Sequence, residues 1–117
     1  MSKKLQSIFE IEVGGGGHNT PGFNSMYRKA TNEIKKLLSD VAEEFKFNKG
    51  HFYFSGFFKR KSDGQAFYLS ITDARFCIDK ILIRTAKHYK DFTGGGNNYV
   101  SIPNFEVEAK NIIKNQL

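Results

Sequence analysis

Two glycine runs constrain this chain more than any other feature. They are Gly14-Gly15-Gly16-Gly17, followed by His18-Asn19-Thr20, and Gly94-Gly95-Gly96, followed by Asn97-Asn98-Tyr99. Seven of the eleven glycines stand in these two places, so the backbone freedom that is hardest to give up on folding is concentrated there. A small protein keeps such runs most readily where backbone must approach a ligand closely. Successive N–H groups turned into one concavity form an anion site, and phosphate is a common occupant. The first expectation is therefore a binder of a phosphorylated small molecule.

A chain of 117 residues is expected to form one domain, 1–117, with enough core to fold without staples. Aromatic residues make up 15% of it, twelve of them Phe, which argues against disorder outside the glycine runs and the first few residues. The net charge of +6 favours anionic partners. Cys77 is alone, so an internal disulfide is excluded and a reducing cytoplasm fits best. No apolar run approaches the roughly 18–20 residues of a membrane span. The opening Met-Ser-Lys-Lys lacks the apolar stretch of a signal peptide, and a soluble cytosolic protein is expected.

Along the chain, residues 5–13 alternate apolar and polar from Phe9 onward and predict a strand entering the first glycine run. After the loop 14–23, Asn24 or Ser25 caps a helix reaching about Phe45, with the stripe Met26, Ala30, Ile34, Leu37, Leu38, Val41 and Phe45. Asn48-Lys49-Gly50 stops it. A strand over 51–60 turns at Lys61-Ser62-Asp63-Gly64, where Asp-Gly is a hairpin signal, and returns over 66–72. Another strand covers 76–85, a loop 86–98, and a short strand 99–102. Pro103-Asn104 opens a final helix with the face Phe105, Ala109, Ile112, Ile113 and Gln116, and Glu106 and Glu108 suit its positive end. The expected fold is α+β: a small antiparallel sheet with one long and one C-terminal helix, in the order β-α-β-β-β-(β)-α.

Two stretches are candidate sites. In the first, Gly14, Gly15, Gly16, Gly17 and His18 lead into a helix whose first turn brings Tyr27 and Arg28, so N–H groups, helix dipole and a guanidinium would surround one anion. The Gly-Lys-Ser/Thr of a Walker loop is absent, which points away from ATP hydrolysis. In the second, Arg84, Lys87, His88, Tyr89, Lys90 and Phe92 precede Gly94, Gly95, Gly96, Asn97 and Asn98. Arg84 is expected at a strand end, where its guanidinium could grip phosphate; Phe92 or Tyr89 offers a base a stacking face, and the Asn amides can bond a base edge or ribose. Three scattered histidines and one cysteine make no metal motif, and no cofactor is expected. No nucleophile motif or carboxylate pair suggests catalysis; Cys77 reads as inert strand packing. Lys59-Arg60-Lys61 reads as a solvated hairpin tip.

The two glycine loops and the small α+β pattern give the chain a resemblance to a known family. It resembles the phage anti-Thoeris nucleotide sponges, the smaller class that captures glycocyclic ADP-ribose signals made by bacterial TIR proteins. The resemblance spans most of the chain and is carried by Gly14–Gly17 and the stretch from Arg84 to Asn98. It implies a non-enzymatic protein that holds the signal intact in the cytoplasm of an infected bacterium. It also implies a homo-oligomer, with pockets at protomer ends or interfaces, and binding of cyclic oligonucleotides elsewhere on the molecule. Two other readings compete: a nucleic-acid-binding protein of a mobile element, and a small phosphoesterase. The cations are dispersed in sequence, which counts against the former, and neither a metal cluster nor a nucleophile supports the latter. Salt separates sequestration of a small ligand from nucleic-acid binding, because counterion release makes only nucleic-acid affinity fall steeply with ionic strength.

Overall fold

The computed structural model describes residues 3–10, 20–50, 52–71, 79–89 and 96–115. Gly14–Gly17, His18, Cys77, Phe92, Gly94 and Gly95 lie outside the described residues. The described chain is α+β, as expected: five antiparallel strands in the order β1-β2-β3-β4-β5, with a long helix and a C-terminal helix.

The N-terminal segment departs from expectation. Lys3–Phe9 is a helix, α1, where the expected strand begins, and residues 11–13 of that strand lie outside the described residues. Leu5, Ile8 and Phe9 stand at helical spacing and all three are buried. Phe9 stacks on Phe54 at 6.3 Å between centroids, which fixes the inward face of α1.

Helix α2, Pro21–Leu38, begins earlier than Asn24 because Thr20 is the N-cap. Its Oγ1 accepts from the Phe23 amide at 3.1 Å, and Pro21 follows it. A Thr-Pro pair is a helix start: the hydroxyl satisfies one orphan amide and proline has none to satisfy. Phe23, Met26, Ala30, Ile34 and Leu38 face the core.

The helix also ends sooner than expected. Instead of reaching Phe45 it stops at Leu38, and Ala42–Lys49 is β1. Leu38, Val41 and Phe45 continue a helical stripe, but Phe45 and Phe47 also share one strand face, and their rings stack at 6.0 Å. A bulge between Glu43 and Lys46, with Glu44 at φ 56°, brings both onto the core side.

Strands β2 (Phe54–Arg60), β3 (Ala66–Ser70), β4 (Lys80–Ala86) and β5 (Asn98–Ser101) complete the sheet, followed by α3, Phe105–Asn115. Gly56 pairs with Phe47, and a Cβ there would come within 2.5 Å of the Phe47 ring and 3.0 Å of the Lys46 carbonyl. Glycine at this position lets that ring lie against the sheet. Glu108 accepts from both the amide and the hydroxyl of Ser101, each at 3.0 Å, fastening α3 to β5. The main core collects α1, α2, α3 and one sheet face. A second cluster on the opposite face joins Phe57, Ala66 and Ala86 with Tyr68 and Tyr89.

The β2–β3 turn forms where Asp63-Gly64 predicted it, with Gly64 at φ 77°. Arg60, however, is buried rather than solvated. It donates to both Asp63 carboxylate oxygens at 2.8 and 2.7 Å and to the Ile113 carbonyl of α3 at 2.7 Å. The charge is used to tie the turn to the last helix. Hydrogen bonds from Arg60, then from the Gln65 amide, hold the Asp63 carboxyl at about 2 against its ordinary 3.8. A lowered carboxyl pKa contributes stability above the ordinary value and loses it as pH falls toward the folded one. Asp63→Asn is therefore expected to lower the urea midpoint at pH 7, with the gap to wild type closing between about pH 4 and pH 2. A gap of equal size at pH 2 and pH 7 would show that the charge of Asp63 does not matter.

Candidate functional site

A cavity of about 1130 Å³ opens where the β2–β3 turn, the end of β4 and the edge strand β1 meet. Strand pairing sets its walls. Lys46 of β1 pairs with Phe57, Lys59 of β2 with Ala66, and Ala66 with Ala86, so side chains at these positions share the sheet face away from the helices. Gln65 Nε2 donates to the carbonyls of Ala66 and Ala86, both at 2.9 Å, and holds the turn against the end of β4.

Three ammonium groups, Lys46, Lys59 and Lys87, and the imidazole of His88 line this space together with two carboxylates. Both carboxylates have cationic partners: Glu44 is 3.5 Å from Lys59, and Asp63 is held by Arg60. The lining thus sets three ammonium groups against two carboxylates. Tyr89 forms the aromatic wall. Its ring stacks on Phe57 at 5.5 Å with 21° between planes, and the Lys59 ammonium lies 5.6 Å from its centroid. Its hydroxyl donates to the Glu44 carbonyl at the bulge of β1. Burial first, then the charges of Glu44 and Glu43, push the phenol pKa up, which keeps it a donor. The arrangement sets cations that can meet phosphate oxygens beside an aromatic wall.

Among the described residues, the expected site residues are not gathered in one place. Tyr89 lines the cavity. Arg84 lies within β4 at 3% exposure, with its guanidinium 4.4 Å above the Tyr68 ring and a 3.2 Å bond to the Thr85 carbonyl. It is a packed member of the outer sheet face, not a group poised at a strand end. Arg84→Ala is consequently expected to cost about 2–4 kcal/mol, through the lost stem packing and the bonds left unmade. A thermal melt unchanged from wild type would contradict that burial.

Tyr27 packs its ring edge against Phe54 at 5.5 Å, and Lys49 lies 5.8 Å from its centroid. Arg28 is exposed on α2. Neither borders the cavity. Asn98 spends its amide on the carbonyls of Ile83 and Gly96, at 3.3 and 3.2 Å. Gly96 and Asn97 are exposed, and a Cβ at Gly96 would meet nothing within 4 Å.

Two cavity residues stand outside the expected site: Lys46, and Lys59, which its charge run assigns to a solvated hairpin tip. For Lys46 the period-two run Phe45-Lys46-Phe47-Asn48 is the available signal, hidden by the helical stripe it continues. Among the described residues no three His, Cys, Asp or Glu side chains cluster as a metal site, and no helix is long and apolar enough to cross a membrane. No family model, curated protein or solved structure matches the chain.

Proposed function

We propose that this protein binds a phosphorylated, nucleotide-like small molecule in the cavity at the end of the sheet and holds it without chemical change. The observation that carries the proposal is the convergence of Lys46, Lys59 and Lys87 with the Tyr89 ring around one space. Small-molecule sites commonly occupy roughly 300–1,000 Å³, so a cavity of about 1130 Å³ has room for a dinucleotide-sized ligand. Lysines act on phosphate as point charges, and the Tyr89 ring, stacked on Phe57, adds an aromatic wall beside them.

The resemblance to the anti-Thoeris sponges names the ligand class within this proposal: a cyclic ADP-ribose-type signal, sequestered by a homo-oligomer in the cytoplasm of an infected bacterium. Sequestration needs tight binding and no turnover. The test is to incubate the protein with lysate of TIR-activated cells, wash, release ligand by heat and identify it by mass spectrometry. An intact nucleotide in stoichiometric amount is expected. A hydrolysed product would make the protein an enzyme, and an empty protein would remove this ligand class.

A further inference from the structure

We propose that the solvent-facing side of α2 is a docking surface for the sugar–phosphate backbone of a nucleic-acid duplex, separate from the cavity. Arg28, Lys29, Lys35 and Lys36 are all exposed. At about 100° per residue they fall within an arc of roughly 120°, with Asn32 between them. They form two columns, Arg28 with Lys35 and Lys29 with Lys36, and a step of seven residues separates the members of each by about 10.5 Å along the axis.

No acid shares this arc. Glu33 is the only acidic residue of α2; it is 7% exposed and lies 3.5 Å from the Lys4 ammonium. No ion pair among the described residues joins Arg28, Lys29 or Lys36. Lys4 of α1 stands across a groove of about 620 Å³ that Lys29, Lys36 and Glu33 also line, and Glu33 offsets its charge there. Four cations on one helix suit a duplex, which carries one phosphate charge per about 1.7 Å of its axis.

The face also selects among anionic partners. A membrane-bound helix buries an apolar side in the lipid boundary. The apolar side of α2 is spent on the core through Phe23, Met26, Ala30, Ile34 and Leu38, and Ile8 in the groove is itself buried. Single-stranded nucleic acid is held by stacking on aromatic platforms. The exposed arc carries none, since Tyr27 turns its ring onto Phe54. Backbone contact to a duplex needs only the cations.

The experiment measures binding of a fluorescent DNA duplex of about 20 base pairs by anisotropy between roughly 50 and 200 mM salt. If Arg28, Lys29, Lys35 and Lys36 each neutralise one phosphate, the slope of log K against log salt is expected to be about −3.6, at about −0.9 per phosphate. Lys29→Gln with Lys36→Gln is expected to reduce it to about −1.8, at about −0.9 per phosphate, whereas Lys46→Gln with Lys87→Gln in the cavity leaves it unchanged. Circular dichroism confirms that each variant is folded. Absence of duplex binding, or a slope that the α2 variant does not change, overturns the proposal. So does α2-dependent binding to vesicles of phosphatidylserine and phosphatidylcholine, or to polyglutamate, at least as tight as to the duplex. Because the cavity variants are scored separately, loss of small-ligand binding with an intact salt slope leaves this surface standing.

Discussion

Replacing Phe58 with alanine is expected to remove about 3–5 kcal/mol of stability, the usual cost of deleting a fully buried phenyl ring. Phe58 has no exposed surface, and its ring stacks between Phe45 and Phe67 with centroids 5.4 Å away on each side. Those neighbours belong to the two strands flanking β2, so they are held by the sheet ladder and cannot collapse far into the hole. The penalty then contains the lost transfer of the ring from water and the cavity left behind. With a urea dependence of about 1–3 kcal/mol per molar, the midpoint should fall by 1 M or more. A fall of only a few tenths of a molar would mean that the flanking rings close the gap and that the stack is not the centre of the core.

The second large effect is expected on binding. Lys46→Ala combined with Lys87→Ala should weaken capture of a cyclic ADP-ribose-type ligand by a hundredfold or more. A charge-assisted contact is worth about 1.5–3 kcal/mol, and about 1.4 kcal/mol is tenfold in affinity. Lys59 is the poorer choice for this test because it also balances Glu44 at 3.5 Å and overlies Tyr89. Lys46 and Lys87 are both exposed, so their removal should leave the melting temperature within a degree or two. Calorimetry with purified cyclic ADP-ribose reads the affinity. Wild-type affinity in the double variant would place the ligand away from the sheet end.

These expectations draw on different parts of the chain, and not all of them could be read from sequence. The β2–β3 turn was legible because Asp63-Gly64 decides it within four residues: only the left-handed conformation closes the hairpin, and glycine supplies it. The α3 stripe, Phe105, Ala109 and Ile113, was legible for a similar reason, as helical period and capping are local. The same holds for β3 and for the middle of α2. Where one stretch fitted two periods, local signals failed. Leu5, Ile8 and Phe9 read as part of an alternating run, yet their spacing is helical, and the choice was made by Phe54 and α2 receiving them as one face. Phe45 continued the stripe of α2 and also began the stripe of β1. The ring of Phe58 and the space above Gly56 settled it, and both lie in another strand.

Charge was the other limit. By itself the sequence determined an α+β chain with a positive balance, a tight hairpin at Asp63-Gly64 and a terminal helix, because each of these depends on composition or on neighbours a few residues apart. It could not say which cations are structural. Arg60 and Arg84 became buried through the Ile113 carbonyl and the Tyr68 ring, partners far along the chain. Lys46, Lys59 and Lys87 come together only because antiparallel pairing places β1, β2 and the end of β4 around one opening. The four cations of α2 became a single face only once its other side was committed to the core. Turn chemistry and helical period act over one or two turns of chain, whereas burial and the convergence of charges are properties of packing. Only the tertiary structure could decide those.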